Sequence, residues 1–214
     1  MRELSMTNFV KICGVTNVHD ARSVVASRAD ALGLILAKSS RRVSRDTARA
    51  ISGAVNGQIK RALVFRESSD EYILESSAYI GAEVAQVHGA ISDRLYEGLR
   101  AQDLLIVKAL VIDSEEFHGF EDDLVDAVLI DGPNPGSGVA HPWGALGSRT
   151  FTKPVIVAGG LNAENVAETI ELTRAWGVDC ASGVEESAGL KDPTLVSRFV
   201  KNARTGFDQR EARE

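Results

Sequence analysis

Cysteine is scarce: the 214 residues include two, Cys13 and Cys180. Two thiols cannot staple a chain of this length, so a disulfide scaffold is excluded. Both read as free thiols of a reducing compartment. Positive charge is in deficit as well, with 24 Lys and Arg against 30 Asp and Glu and a net charge of −6. Such a chain lacks the basic surface that holds nucleic acid or an anionic membrane, which leaves room only for a local site for a small anion. No apolar run approaches the roughly 18 residues that cross a bilayer. The opening MRELSMTNF lacks the apolar stretch of a signal peptide. No linker and no low-complexity tract interrupts the chain. These absences predict a cytoplasmic protein of one domain, residues 1–205, with neither nucleic-acid nor membrane partners. The polar residues 206–214 read as a fraying tail.

What is present is a rhythm. Short aliphatic runs recur at 9–13, 31–37, 61–65, 83–88, 104–111, 127–131, 154–160 and 178–183. Their spacing of roughly 20–27 residues holds one strand, one helix and two short loops. Each run is nearly continuous rather than alternating, as in strands buried on both faces of a parallel sheet. Helix starts stand between the runs: Asn17 before VHDARSVVAS, Ser44 before RDTARAISGAV, and Asn162 before AENVAETIELTRAWG, with Gly177 as its stop. Eight such units predict a single-domain (β/α)8 TIM barrel of eight parallel strands. A doubly wound open sheet is the competing architecture, but CGVTN is not the glycine-rich first loop that it uses.

Active sites of such barrels sit at the C-terminal strand ends, which reduces the chain to a short set of residues. Cys13 ends the first strand, with Lys11 two residues before it. Lys38, Arg41 and Arg42 follow the second, and Arg66 the third. Gln86 and His88 end the fourth, Lys108 lies in the fifth, and Asp131 ends the sixth. Gly159 and Gly160 end the seventh, and Ser182 and Gly183 the eighth.

Glycine-bearing ends on the two last strands suit a phosphate, because the backbone comes close and successive amides form an anion nest. Gly138 in GSG after the sixth strand adds a neighbouring loop. The plainer reading is that these are tight turns. Asp131 follows four apolar residues. It is either a desolvated carboxyl suited to a general acid or a turn former before Gly132. Cys13 is either a small buried hydrophobe or a reactive thiol, since Lys11 and the helix headed by Asn17 both favour thiolate. The arginines of AKSSRRVS are a solvated turn or a fork for a carboxylate. His88 is a core histidine or a direct participant.

Taken in order, VKICGVTNVHDA, GLILAKSSRRVS, VAQVHG, VLIDGPNPGSG, PVIVAGGLNAENV and GVDCASGVEESAGLKD resemble the phosphoribosylanthranilate isomerase family of tryptophan biosynthesis. The resemblance runs from about residue 11 to residue 192. It implies a (β/α)8 barrel and an Amadori rearrangement of N-(5-phosphoribosyl)anthranilate, with no metal or organic cofactor. It further implies Cys13 as general base, Asp131 as general acid and Arg41 as the holder of the substrate carboxylate. The phosphate would lie on Gly138, Gly159, Gly160, Ser182 and Gly183. The strand-end positions separately offer Lys11, Gln86 and His88 as candidate pocket residues. The implied partner is one small phosphosugar, and the chain would be a monomer or homodimer.

Departures from the family pattern collect around the aryl end. The second strand reads GLILA in place of aromatic residues. Ser40 replaces the usual proline, Arg42 is additional, and the segment before Trp143 reads GSGVAHPW. Arg66 stands where the family has a small or polar residue. Two other readings remain: a lyase or aldolase using Lys108 as a Schiff base, and a barrel that binds a phosphorylated ligand without turnover.

Overall fold

The computed structural model describes residues 8–121, 123–132, 143, 146 and 150–213. Eight parallel strands close into a barrel in sequence order, β1 (Phe9–Ile12), β2 (Ala31–Ile35), β3 (Lys60–Arg66), β4 (Val84–His88), β5 (Leu105–Val111), β6 (Ala127–Asp131), β7 (Val155–Ala158) and β8 (Gly177–Cys180). Closure is the pairing of β1 with β8, in the register Lys11 to Asp179 and Ile12 to Cys180. An antiparallel hairpin of β9 (Glu185–Ser187) and β10 (Leu190–Lys191) follows β8.

The helices are α1 (Val18–Ala26), α2 (Arg45–Ala54), α3 (Asp70–Ile80), α4 (Asp93–Ala101), α5 (Glu115–Gly119), α6 (Val166–Thr173) and α7 (Pro193–Glu211). Their starts are chemically marked. Asn17, Ser44, Ser69, Ser92 and Ser114 each accept a hydrogen bond from the backbone N–H three residues on, which satisfies a donor that the first turn leaves open.

Alternation along the strands divides the core in two. Phe9, Ala31, Ala62, Val107, Leu129 and Ile156 fill the barrel interior. Val10, Leu32, Leu63, Ile106, Val128 and Val157 face the helices. Both faces are buried, which is why each run is apolar throughout. Polar interior residues therefore concentrate near the C-terminal ends, where the site lies.

Two expectations are corrected. The stretch from 206 does not fray as a tail: α7 continues to Glu211, with Gly206 and Phe207 buried beside Phe199 and Ala203. That spacing makes one helical stripe, and the polar residues between form its outer face. Gly206 also permits close packing, because a Cβ there would lie 2.9 Å from Ala167 Cα. The helix placed after Asn162 begins at Val166, with Asn165 at its cap. Asn162 instead accepts from the N–H groups of Glu164 and Asn165 in a turn. The helix stops at Arg174, in left-handed backbone, and Gly177 opens β8.

Candidate active site

A cavity of about 280 Å³ opens at the C-terminal ends of the strands, and Cys13, Arg41, Gln86, His88, Asp131, Gly159, Gly160 and Ser182 all line it. The fold thus gathers residues from six different strand ends. Below the opening, Lys11 Nζ lies 2.7 Å from Asp179 Oδ2, both side chains being almost wholly buried. Asp179 also lines the cavity.

Cys13 is 6% exposed. Gly33 on β2 makes its room, since a Cβ at that position would stand 2.6 Å from Cys13 Sγ. Burial pushes the Cys13 thiol above its ordinary value, Lys11 and Lys191 oppose the rise, and the charge of Asp179 adds to it. The local cues for thiolate are therefore outweighed by desolvation. Lys11 remains a cation: burial works against its charge, but Asp179 and Cys13 hold its pKa above that of an ordinary lysine.

Asp131 is raised from 3.8 to about 6, first by burial and next by the negative charge of Asp179. The Gly132 N–H, donating to Oδ1 at 2.9 Å, and the charges of Arg66 and Lys11 limit the rise. Gly159 packs directly over this carboxyl. Its φ is +96°, and a Cβ would meet Asp131 Oδ1 at 2.8 Å.

Arg41 is held more tightly than its place in a loop suggests. Its Nε and Nη2 donate to Glu185 Oε1 and Oε2, each at 2.7 Å, and Lys191 Nζ donates to the same Oε1 at 2.8 Å. Burial would raise the carboxyl of Glu185, but hydrogen bonds from Arg41 and Lys191 lower it below the ordinary range. Gly14, at φ +73°, lets the arginine stem pass, because a Cβ there would lie 2.6 Å from Arg41 Cδ.

The remaining candidates divide by position. Gly160 has φ +66° at the end of β7. Gly183 is not among the residues lining the cavity. It packs against the β7 side, and a Cβ there would overlap Leu161 O at 2.0 Å. Gly138 lies outside the described residues. Gln86 Nε2 and His88 Nε2 are 3.2 Å apart, and Arg66 Nη2 lies 3.5 Å from His88 Nδ1. Burial, followed by the charge of Arg66, lowers His88 to about 3, so its ring is neutral. Arg66 lines the cavity; Arg42 is exposed and does not.

Lys108 is excluded as a Schiff-base lysine of this cavity. Its neighbours Val107 and Ala109 point into the barrel, so Lys108 points outward. There it donates to Gly89 O at 2.7 Å and lies 2.5 Å from Glu116 Oε1.

Residues 10–202 match the family model for N-(5'-phosphoribosyl)anthranilate (PRA) isomerase. The chain belongs to the N-(5'-phosphoribosyl)anthranilate isomerase family. Within that family, it is 37% identical to the N-(5'-phosphoribosyl)anthranilate isomerase of Desulforudis audaxviator, over 91% of this chain and 97% of that one. The crystal structure of phosphoribosyl anthranilate isomerase from Thermotoga maritima superposes with a TM-score of 0.80 at 33% identity, covering 93% of this chain and all of that one. A phosphoribosyl anthranilate isomerase in complex with reduced 1-(o-carboxyphenylamino)-1-deoxyribulose 5-phosphate superposes with a TM-score of 0.77 at 32% identity, over 93% and 100% of the two chains.

Two charged residues of this N-(5'-phosphoribosyl)anthranilate isomerase family member escaped the sequence reading. Asp179 lies in GVDC, where Cys180 drew attention. Yet Cys180 is inert, its thiol donating to Leu161 O at 3.0 Å and pushed upward by burial. A carboxylate one residue from it, inside a run buried on both faces, was the available signal. Glu185 had no comparable signal, because its partner Arg41 is 144 residues away.

Proposed function

We propose that this chain isomerises N-(5-phosphoribosyl)anthranilate to 1-(2-carboxyphenylamino)-1-deoxyribulose 5-phosphate, a step of tryptophan biosynthesis. The observation that carries this reading is the placement of Cys13 and Asp131 on one cavity, with Asp131 poised near pH 6. Ring opening of the aminosugar needs an acid at the furanose oxygen. A buried carboxyl with a raised pKa is protonated often enough near neutrality to serve. Opening leaves a Schiff base whose C2 proton is acidified by the adjacent C=N bond. Cys13, as thiolate, takes that proton, and the resulting enolamine relaxes to the ketone by gaining a proton at C1.

The thiol must first lose its own proton, against the desolvation that holds it. Lys11 supplies the counter-charge. Its charge draws the thiol pKa down, and its pair with Asp179 keeps the ammonium in place. Gly159, Gly160 and Ser182 form the side of the cavity suited to the phosphate, with Gly183 packed beside Leu161, and the family resemblance assigns Gly138 to the same group. Arg41 also lines the cavity and serves the aryl carboxylate. Among the described residues, its Nε–Nη2 edge is committed to Glu185, so Nη1 is the edge it offers.

The substrate is one small phosphosugar, handled in the cytoplasm. As to assembly, the Thermotoga maritima relative is described as dimeric, and we expect a monomer or homodimer here. Expression of this chain in a tryptophan auxotroph lacking the isomerase step tests the reading. Growth without tryptophan supports it; failure to grow despite soluble expression contradicts it.

A further inference from the structure

Three cations stand at the mouth of the cavity. Lys38 and Arg66 line it and are exposed. Arg42 is exposed just outside it, next to Arg41 in the chain, and its backbone is bridged to the cavity residue Ile35. Nearby cations are paired, Arg41 with Glu185, Arg45 with Glu75 and Arg61 with Glu83. Lys38, Arg42 and Arg66 form no salt bridge among the described residues. The Arg66 guanidinium lies 3.5 Å from His88 Nδ1. That ring, lowered to about 3, is neutral and leaves the charge uncompensated. Arg42 and Arg66 are also additions to the family pattern.

The rest of the molecule has the opposite sign, with a net charge of −6. Acids stand at the same end of the barrel: Asp46, Asp70, Asp93 and Glu115 in the first turns of α2 to α5, and Glu67 next to Arg66. None of these lines the cavity. The carboxyls that do are Asp131 and Asp179, and Asp179 is bound to Lys11. Glu185 is shared between Arg41 and Lys191, which leaves that cluster positive. The mouth is therefore a cationic island in an acidic surface.

The two signs act over different distances. At about 0.1 M salt the Debye length is about 10 Å, and a ligand farther out meets little field of either sign. Within that length the nearest charges dominate, and the low-dielectric walls of a cleft focus their field. The proposed substrate carries both a phosphate and a carboxylate, so it is drawn inward there.

We propose that Lys38, Arg42 and Arg66 form a steering rim that speeds the capture of a polyanionic sugar phosphate, acting on association before contact. Arg41 keeps the carboxylate in the bound state. This inference rests on the isomerase reading for the identity of the ligand.

The test is stopped-flow binding of reduced 1-(o-carboxyphenylamino)-1-deoxyribulose 5-phosphate, followed by its arylamine fluorescence, with association and dissociation rates read separately. The chains are the native one, Arg42→Ser, Arg42→Glu, and a triple variant with Lys38→Ser, Arg42→Ser and Arg66→Ser together. All three positions are exposed, and melting temperatures report that the barrel is intact. Arg42 is the cleanest site, because it lies outside the cavity and reaches the ligand only through its field. Should the triple variant fail to fold, Arg42→Glu carries the test alone.

Native association should slow about 10-fold from about 0.1 M to about 1 M sodium chloride, as the Debye length falls to about 3 Å. Arg42→Glu should slow it about two- to fivefold at the lower salt, the scale of one charge acting across a Debye length, and Arg42→Ser by less. The triple variant should slow about 10-fold or more and lose most of the salt dependence. Dissociation should change little in the Arg42 variants. Native association that is indifferent to salt, or that quickens with it as the net charge alone dictates, overturns the proposal. So does an Arg42→Glu variant that binds as fast as the native chain, or a triple variant whose loss lies wholly in dissociation. Turnover assays on the same preparations separate the two readings. Rim-dependent association without turnover refutes the activity alone. Turnover with association unaffected by salt and by the variants refutes this inference alone. A native chain that does not bind the ligand refutes both.

Discussion

Lys11 on β1 and Asp179 on β8 meet at 2.7 Å inside the barrel, and the pair touches both ends of the proposed chemistry. The cation of Lys11 draws the Cys13 thiol down, whereas the carboxylate of Asp179 pushes the Asp131 carboxyl up. One buried ion pair therefore moves the base and the acid in the directions that their roles require.

Replacing Asp179 with asparagine removes the like charge beside Asp131 and leaves Lys11 buried without its counter-ion. Stability should fall by about 3–5 kcal/mol, the usual cost of breaking a buried pair from one side. In whatever fraction remains folded, the acid limb of the pH–rate profile should move below its native position. Denaturant unfolding and a pH profile of the same preparation check both. An unshifted acid limb would detach Asp179 from the acid.

The native pH profile has its own signature. With Asp131 near 6 and the Cys13 thiol above its ordinary value, kcat/KM should trace a bell. Its acid limb should lie near pH 6 and its basic limb above the usual thiol range. Alkylation of Cys13 should be slow at neutral pH and accelerate only well into the alkaline range. Rapid modification of Cys13 at pH 7 would show a thiolate that the burial of this site does not favour.

Gly33 offers a steric test free of any charge change. Its missing Cβ would stand 2.6 Å from Cys13 Sγ and 3.0 Å from Cys13 Cα. Gly33→Ala should displace the thiol and lower kcat by about 10²-fold or more, since sub-ångström placement governs proton transfer. The barrel should persist by circular dichroism. Unchanged kcat would mean that the Cys13 side chain has no fixed role.

Asp131 should show a trade between stability and activity. A carboxyl raised from 3.8 to about 6 on folding costs nothing below the pKa of the unfolded chain. The cost develops as pH rises through the folded pKa and is complete above it, at no more than about 3 kcal/mol. Asp131→Asn removes that cost, so its melting temperature at pH 7.5 should exceed the native value while turnover collapses. A melting temperature unchanged at pH 7.5 would contradict the raised pKa.

The barrel was legible in the sequence because its signals are local. Continuous aliphatic runs, their spacing, and caps such as Asn17 and Ser44 depend on neighbours within a few residues. The places of Cys13 and Asp131 were legible for the same reason, as residues at the ends of such runs. Their energetics were not. Whether Lys11 outweighs desolvation at Cys13 depends on Gly33, Asp179 and Lys191, which the fold brings in from three other segments. The commitment of Arg41 to Glu185 is likewise a contact between distant residues. Residue 206 misled for the opposite reason: a stripe of Phe199, Ala203 and Phe207 is diluted by the charged outer face of the same helix.

The central claim is an acid–base isomerase whose base is Cys13 and whose acid is Asp131. Its most direct test is to generate N-(5-phosphoribosyl)anthranilate enzymatically, follow the loss of its fluorescence on adding the purified chain, and identify the product ketose by NMR. The account predicts rapid conversion by the native chain, with losses of at least about 10²-fold in both Cys13→Ala and Asp131→Asn, the scale of a missing general base or acid. No conversion by the native chain, or full activity in either variant, would contradict it.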